Sequence, residues 1–384
     1  MDKDVNSVAL SCNEGNINKR DSSIITYCAT IKNPLIWDCE NPNLYTVKTV
    51  LKKYNEVIDE NITRIGFRTV EISADKGLLL NGSIYDTVHE MCPDKPLFAS
   101  ECCATGTTRD WNFDTNTSGR IRDKDVDTNN WFLGREKTYK FLRERSFVFG
   151  QFQWAAVEHR GEATWPRICS VSGALDLFLQ KKGAFYQNKS HWTKEPMAHI
   201  VPHWNFKGLE GEEILVIVYT NCDELELFLN GESKGKKQIE KYGHGEWSVV
   251  YEPGTISVKG YINGELVAED KRETTGKAVS LRLTPCNEFE ANGKDLALFT
   301  CECIDEKGNV VPDASEFISF SASAPAKIIG TGSDNCDHNN VANTNRKMYM
   351  GKILVAVKPA KGQKQLKLTA MSDNCGVTVK TIDL

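Results

Sequence analysis

Apolar and polar residues alternate in short runs over the first 80 positions: IITYCATI, LYTVKTVLKKY and RIGFRTVEI, separated by KNPLIWDCENPN and NEVIDENIT. A period of two, broken by Pro and Asn, predicts half-buried antiparallel strands. This stretch reads as the last part of a β-sandwich. From Ser83 to Lys194 the period changes. REKTYKFLRERS places its apolar residues at helical spacing, and FVFGQFQWAAV is one continuous apolar run of strand length, the pattern of a strand covered on both faces. After Met197 the strands return as EILVIVYT, ELELFLNG and EWSVVYEPGTISVKGYINGELVAED, with Asn-Gly and Pro-Gly turn signals between them. KAVSLRLTPC opens a last series of about 100 residues, the size of an immunoglobulin-like sandwich.

The pattern therefore predicts a mainly β chain with one α/β segment. Its domains are expected at residues 1–81 (the last part of a β-sandwich), 82–195 (the α/β segment), 196–276 (a β-sandwich) and 277–384 (an immunoglobulin-like domain). A length of 384 residues agrees with several domains rather than one.

Charge and composition remove several classes of function. With 47 basic and 52 acidic side chains the net charge is -5, and no basic stripe interleaved with aromatics points to nucleic acid. The longest apolar runs are strand-sized, well short of the roughly 20 residues that cross a bilayer. The N-terminal MDKDVNSVALSCNEGNINKR lacks the basic-then-apolar order of a secretory signal, so a cytoplasmic location is expected. The 13 cysteines are scattered, without CxxC or zinc spacing, and are expected to be free thiols. Neighbouring Cys102 and Cys103 are expected to point in different directions. His159, His203 and His244 show no metal spacing, and GSDNCDHNNVANTNRK lacks the regular acidic spacing of a calcium loop, so no metal and no cofactor are expected.

One stretch carries candidate chemistry. PLFASECCATGTTRD reads as a strand that stops on a carboxylate, Glu101, and passes into a small, polar loop. Three motifs upstream of it, ENPNLYTV, RIGFRTVEI and GLLLNG, occur in the order in which glycoside hydrolase family 2 enzymes leave their immunoglobulin-like sandwich and enter a (β/α)8 barrel. The sequence resembles that family, which includes β-galactosidases, β-glucuronidases and β-mannosidases. PDKPLFASE resembles the seventh barrel strand, and GQFQWAAVEHRGEATWP the eighth strand with its loop. HWNFKGLEGE, NCDELELFLNGESKG and YEPGTI, with the final domain, resemble a β-galactosidase subgroup.

The resemblance implies hydrolysis of β-galactosides or related β-glycosides by a retaining mechanism, with Glu101 as nucleophile. It implies a carbohydrate substrate bound by Trp154, Glu158, Glu162 and Arg109, with Arg109 shaping the pocket loop. Glu158 and Glu162 would lie over the same face as Glu101, there to donate a proton, contact sugar hydroxyls or pair with Arg160. Trp154 offers an apolar face to a sugar ring; for Trp165 the same role and a place in the core are both open.

The resemblance also exposes a gap. LLLNGSIYDTVHEMCPDKPLFASE passes from the barrel entrance to its seventh strand in roughly 20 residues, where a whole barrel takes about 250. On this resemblance the general acid/base segment falls in the missing part, and the N-terminal sugar-binding domain of the family is expected to have no counterpart. The segment 82–195 is thus expected to be a truncated barrel remnant, flanked by sandwich domains. Its strands would carry open edges and apolar faces, which favour self-association into a homo-oligomer. A non-catalytic carbohydrate-binding or assembly module is the alternative to an enzyme.

Overall fold

The computed structural model describes residues 9–12, 26, 28–36, 43–67, 70–73, 77–80, 84–104, 106–109, 111, 120–124 and 134–384. Residues 81–83, which join GLLL to the following helix and where the barrel gap is expected, lie outside the described residues. The described chain is mainly β and forms two compact units, one running up to Leu97 and including Phe147–Phe149, the other taking in the rest.

In the first unit, β1 (Tyr45–Lys53) and β2 (Glu56–Ile65) form an antiparallel hairpin through a turn at Tyr54 and Asn55, both with positive φ. Tyr45 is buried, meets Phe67 edge-on at 5.2 Å and accepts a hydrogen bond from the Leu35 amide. The expected half-burial does not extend along this ribbon. Val57, Ile58 and Ile62 are more than half exposed, because among the described residues the pair forms a sheet of two strands. A second hairpin, β3 (Val70–Ser73) with β4 (Gly77–Leu80), and helix α1 (Ile84–Met91) follow.

Strand β5 (Leu97–Cys102), helix α2 (Arg135–Arg143) and strand β6 (Val148–Gln153) make a βαβ arrangement. The Leu97 amide donates to Phe147 O and the Trp154 amide to Cys102 O, so the two strands run in the same direction. Such parallel strands need a crossover connection, and α2 lies within it. The expectation that FVFGQFQWAAV is covered on both faces is corrected here. Phe149 is 67 % exposed and Phe152 66 %, because two strands cannot supply the neighbours that cover a parallel sheet.

Helix α3 (Gly183–Trp192) leads into a sandwich. One sheet is β11–β8–β7, from β7 (Ala198–Val201), β8 (Glu213–Thr220) and β11 (His244–Val250). The other is β10–β9–β12–β13, from β9 (Glu224–Leu229), β10 (Glu232–Gln238), β12 (Thr255–Ile262) and β13 (Glu265–Glu273). Alternation sets the inner face: Leu225, Leu227 and Leu229 of ELELFL meet Val216, Val218, Ile256 and Val258 in one apolar cluster. The Asn230-Gly231 and Asn263-Gly264 pairs both take positive φ, as tight hairpin turns require.

The last domain has two four-stranded sheets. The first, β14–β15–β19–β17, uses β14 (Ser280–Pro285), β15 (Ala297–Ile304), β17 (Lys327–Gly332) and β19 (Lys352–Lys358). The second, β18–β16–β20–β21, uses β16 (Phe317–Ala322), β18 (Asn345–Lys347), β20 (Gln365–Ser372) and β21 (Gly376–Asp383). Phe299, Ile318, Ile353, Val355, Leu366 and Leu368, all fully buried, fill the space between them. Every described cysteine is a free thiol, and no described helix is long and apolar enough to cross a membrane.

Candidate functional site

Glu101 is exposed near the C-terminal end of β5, and Trp154 follows the end of β6. Because β5 and β6 are parallel, both strand ends open on the same side. There they border a cleft of about 550 Å³ lined by Glu101, Ala104, Gly106, Ile121, Trp154, Glu162 and the run Ser170–Ser172.

The wall opposite the strand ends depends on a close backbone approach. Ala155 donates to Ser172 O, Ala174 to Ala155 O and Glu158 to Leu175 O. A Cβ on Gly173 would sit 2.3 Å from the Glu158 nitrogen and 2.5 Å from Leu175 O, so glycine alone fits between these strands of chain. The Thr107 amide donates to Val171 O and the Thr108 amide to Ile121 O, which ties the loop after Glu101 to the same wall.

Glu162 reaches the cleft with a positive φ of 48°, and its carboxylate accepts from the Trp154 indole at 3.3 Å. His159 Nε2 lies 3.5 Å from the same carboxylate. The Ser170 hydroxyl accepts from the His159 amide, so its own proton is free to go to His159 Nδ1 at 3.2 Å, leaving Nε2–H to face Glu162. The His159 ring also meets the Trp154 ring edge-on at 5.5 Å. The indole N–H and the imidazole thus hold the Glu162 side chain at the rim.

Two expected binding residues are elsewhere. Glu158 is not in the cleft: its side chain is completely buried and bonded at 2.7 Å to Lys182 Nζ, also completely buried. The Leu177 amide and the Cys169 thiol donate to the same carboxylate. Burial pushes the Glu158 carboxyl up, against the opposing pull of the Lys182 ammonium. Its ion pair is with Lys182 rather than Arg160, because a carboxylate this deep requires an internal cation. Lys182 spends its other bonds on Thr107 O and Val171 O, the two chain segments behind the cleft.

Arg109 is likewise not among the residues lining the cleft. Its Nε donates to Asp176 at 3.0 Å, and its terminal nitrogens reach Ser333 O and Tyr349 O of the last domain. Arg120 bonds Asp334 at 2.6 Å and lies 4.6 Å over the Tyr349 ring. These two arginines clamp the cleft loops to the C-terminal sandwich.

Cys102 and Cys103 also depart from expectation. Cys103 has a φ of 59°, and this left-handed turn brings its thiol back to 3.5 Å from that of Cys102, with both facing Gln151 Oε1. The Cys103 hydrogen bond and burial push the Cys102 thiol up, so it stays protonated. No cluster of three metal-ligating side chains occurs among the described residues.

Of the expected set, the cleft gathers Glu101, Trp154 and Glu162. The small-residue wall, Ser170 to Ser172, and the buried Lys182 were not foreseen. A lysine inside LFLQKKGAF was the one sequence signal for the latter.

Residues 2–68 match the family model described as Glycosyl hydrolases family 2, and residues 281–380 that described as Glycoside hydrolase family 2 C-terminal domain 5. Residues 211–268 match a domain of unknown function. The chain is a glycoside hydrolase family 2-like protein. A Beta-galactosidase BoGH2A from Bacteroides ovatus is 36 % identical over 250 residues, which cover 63 % of this chain and 29 % of that protein. A putative beta-glucuronidase from Formosa agariphila is 33 % identical over 214 residues, 53 % of this chain and 21 % of that protein. The family 2-like chain thus spans less than a third of the length of these relatives. Its fold resembles that of a beta-glycosidase from Bacteroides vulgatus, with a TM-score of 0.68 at 19 % identity over 93 % of this chain and 71 % of that one. A beta-glucuronidase from glycoside hydrolase family 2 aligns with a TM-score of 0.64 at 18 % identity, covering 100 % of this chain and 57 % of that one.

Proposed function

We propose that the chain carries the nucleophile half of a retaining β-glycosidase site and binds terminal β-galactosides or related β-glycosides in the cleft. The observation that supports this most is the placement of Glu101. It is an exposed carboxylate at the C-terminal end of a parallel strand, in one cleft with Trp154 and Glu162. Barrel enzymes keep their chemistry at that end of the strands. The β5–α2–β6 unit, in residues 82–195, is then the remnant of a (β/α)8 barrel, between sandwich domains at 1–81, 196–276 and 277–384.

A retaining mechanism needs a second carboxyl group, about 5–5.5 Å from the first, to protonate the leaving oxygen. Glu158 is occupied by Lys182, and Glu162 by the indole and His159. Turnover of unactivated glycosides is accordingly slow, since losing general acid help costs about 10²–10⁴ in rate. A leaving group that departs as a stable anion needs no such help. The chain should hydrolyse 2,4-dinitrophenyl β-galactoside and leave lactose essentially untouched, and Glu101→Gln should abolish the first activity. Dinitrophenyl hydrolysis unchanged in Glu101→Gln would sink this reading.

The engagement of Glu158 by Lys182 favours one second reading, a non-catalytic carbohydrate-binding module. Its signature is measurable lactose binding with no release of dinitrophenolate. In either case the free thiols suit a cytoplasmic setting, and the exposed phenylalanines of β5 and β6 suit self-association.

A further inference from the structure

Trp165 is 79 % exposed, yet its surroundings are built to hold it. The Arg167 amide donates to Thr164 O and the Ile168 amide to Asn335 O, so the chain on both sides of the indole is tied down. The His338 ring, from the C-terminal sandwich, lies 4.6 Å from the Trp165 ring at a tilt of 33°. Pro166 O can only accept, so His338 Nε2 is the donor in their 2.7 Å hydrogen bond. That bond anchors the exposed imidazole from one edge.

Leaving an indole in water forfeits one of the largest burial gains available to a side chain. Here it is left exposed on a pinned loop, three residues after Glu162, which lines the cleft. The surface offers a flat apolar ring beside an exposed, hydrogen-bonding imidazole. That pairing matches a pyranose, which has an apolar face and a rim of hydroxyls.

We infer that Trp165 and His338 together form a second saccharide subsite that takes the sugar on the leaving-group side of the bound glycoside. The inference rests on the cleft being the site of the terminal sugar. It also gives the C-terminal sandwich a direct part in substrate choice, because His338 belongs to that domain.

The test uses the full chain labelled with 5-fluorotryptophan, with the Trp154 and Trp165 fluorine resonances assigned from Trp154→Phe and Trp165→Phe. Methyl β-galactoside should move only the Trp154 resonance, and lactose should move both. In unlabelled protein, Trp165→Ala should weaken lactose binding roughly tenfold and leave methyl β-galactoside binding unchanged, the loss expected for one ring stack. His338→Ala should give a smaller loss in the same direction. Movement of Trp165 with Trp154 silent would keep the subsite and overturn the cleft as the terminal-sugar site. A Trp165 resonance that lactose does not move, or equal lactose affinity in Trp165→Ala, would overturn the subsite itself.

Discussion

The C-terminal sandwich and the β5–α2–β6 unit solve the same burial problem with different means. The sandwich closes on itself: Phe299, Ile353 and Leu368 are fully buried between two four-stranded sheets. Among the described residues the βαβ unit has one two-stranded sheet, and Phe98 and Phe152 meet edge-on at 5.6 Å while 46 % and 66 % exposed. What stabilises the second region is polar. Lys182, in a buried pair with Glu158, bonds Thr107 O and Val171 O beside it, while Arg109 and Arg120 tie the neighbouring chain to the sandwich. A parallel strand pair without neighbours thus keeps its shape through buried charge and borrowed contacts.

That contrast can be broken in both regions. Lys182→Met would leave the Glu158 carboxylate unpaired in the interior and cost about 3–5 kcal/mol. Adding Glu158→Gln should recover much of the loss, and urea unfolding of the two variants checks both statements. Phe299→Ala should cost a similar 3–5 kcal/mol or so through the cavity it opens in the sandwich. Arg120→Ala removes a mostly buried ion pair with Asp334 and should cost about 1–3 kcal/mol, with its clearest effect on proteolysis between residues 106 and 122. Phe152→Ser should change stability by less than about 0.5 kcal/mol. It should reduce self-association in sedimentation, and unchanged association would remove the exposed sheet face as its cause.

The smallest effect is a pH dependence where α2 meets β11. Burial lowers His244, but the Glu136 and Glu246 carboxylates outweigh it and hold the imidazole above its ordinary value. Burial raises Glu136, and His244 and Lys140 outweigh that to hold it below the ordinary carboxylate value. A raised histidine stabilises fully below 6.5 and loses that contribution as pH climbs through its folded value. A lowered carboxylate stabilises above 4.5 and loses its share as pH falls. The contact is therefore strongest between these limits. Amide exchange protection of α2 should fall as pH rises past 6.5, but only in part, because Lys140 still bridges Glu136 and Glu240. His244→Gln should flatten the profile, with Arg143 and Tyr242 alongside unchanged.

Much of the fold was readable because its rules are local. Alternation in ELELFL placed Leu225, Leu227 and Leu229 inside, and the two Asn-Gly pairs marked hairpins that form as expected. The helical spacing in REKTYKFLRERS became α2. The site was readable only along the strands that carry it. Glu101 and Trp154 follow from strand ends, whereas the burial of Glu158 depends on Lys182, 24 residues away, and on a chain crossing that needs Gly173. Arg109 reaches partners more than 200 residues distant, so a reading of its own loop could not separate pocket from clamp. The turn at Cys103 defeated a rule about neighbouring side chains that assumes regular backbone.

The central claim is that Glu101 can form a covalent bond to an anomeric carbon. A 2-deoxy-2-fluoro β-galactosyl donor bearing a dinitrophenyl group tests it directly, because attack by the carboxylate releases dinitrophenolate with no proton required and the fluorine slows the subsequent attack by water. Intact-mass and peptide mapping should find one fluorogalactosyl group, attached to Glu101, and none in Glu101→Gln. An unmodified chain, or the label on any other residue, would contradict the account.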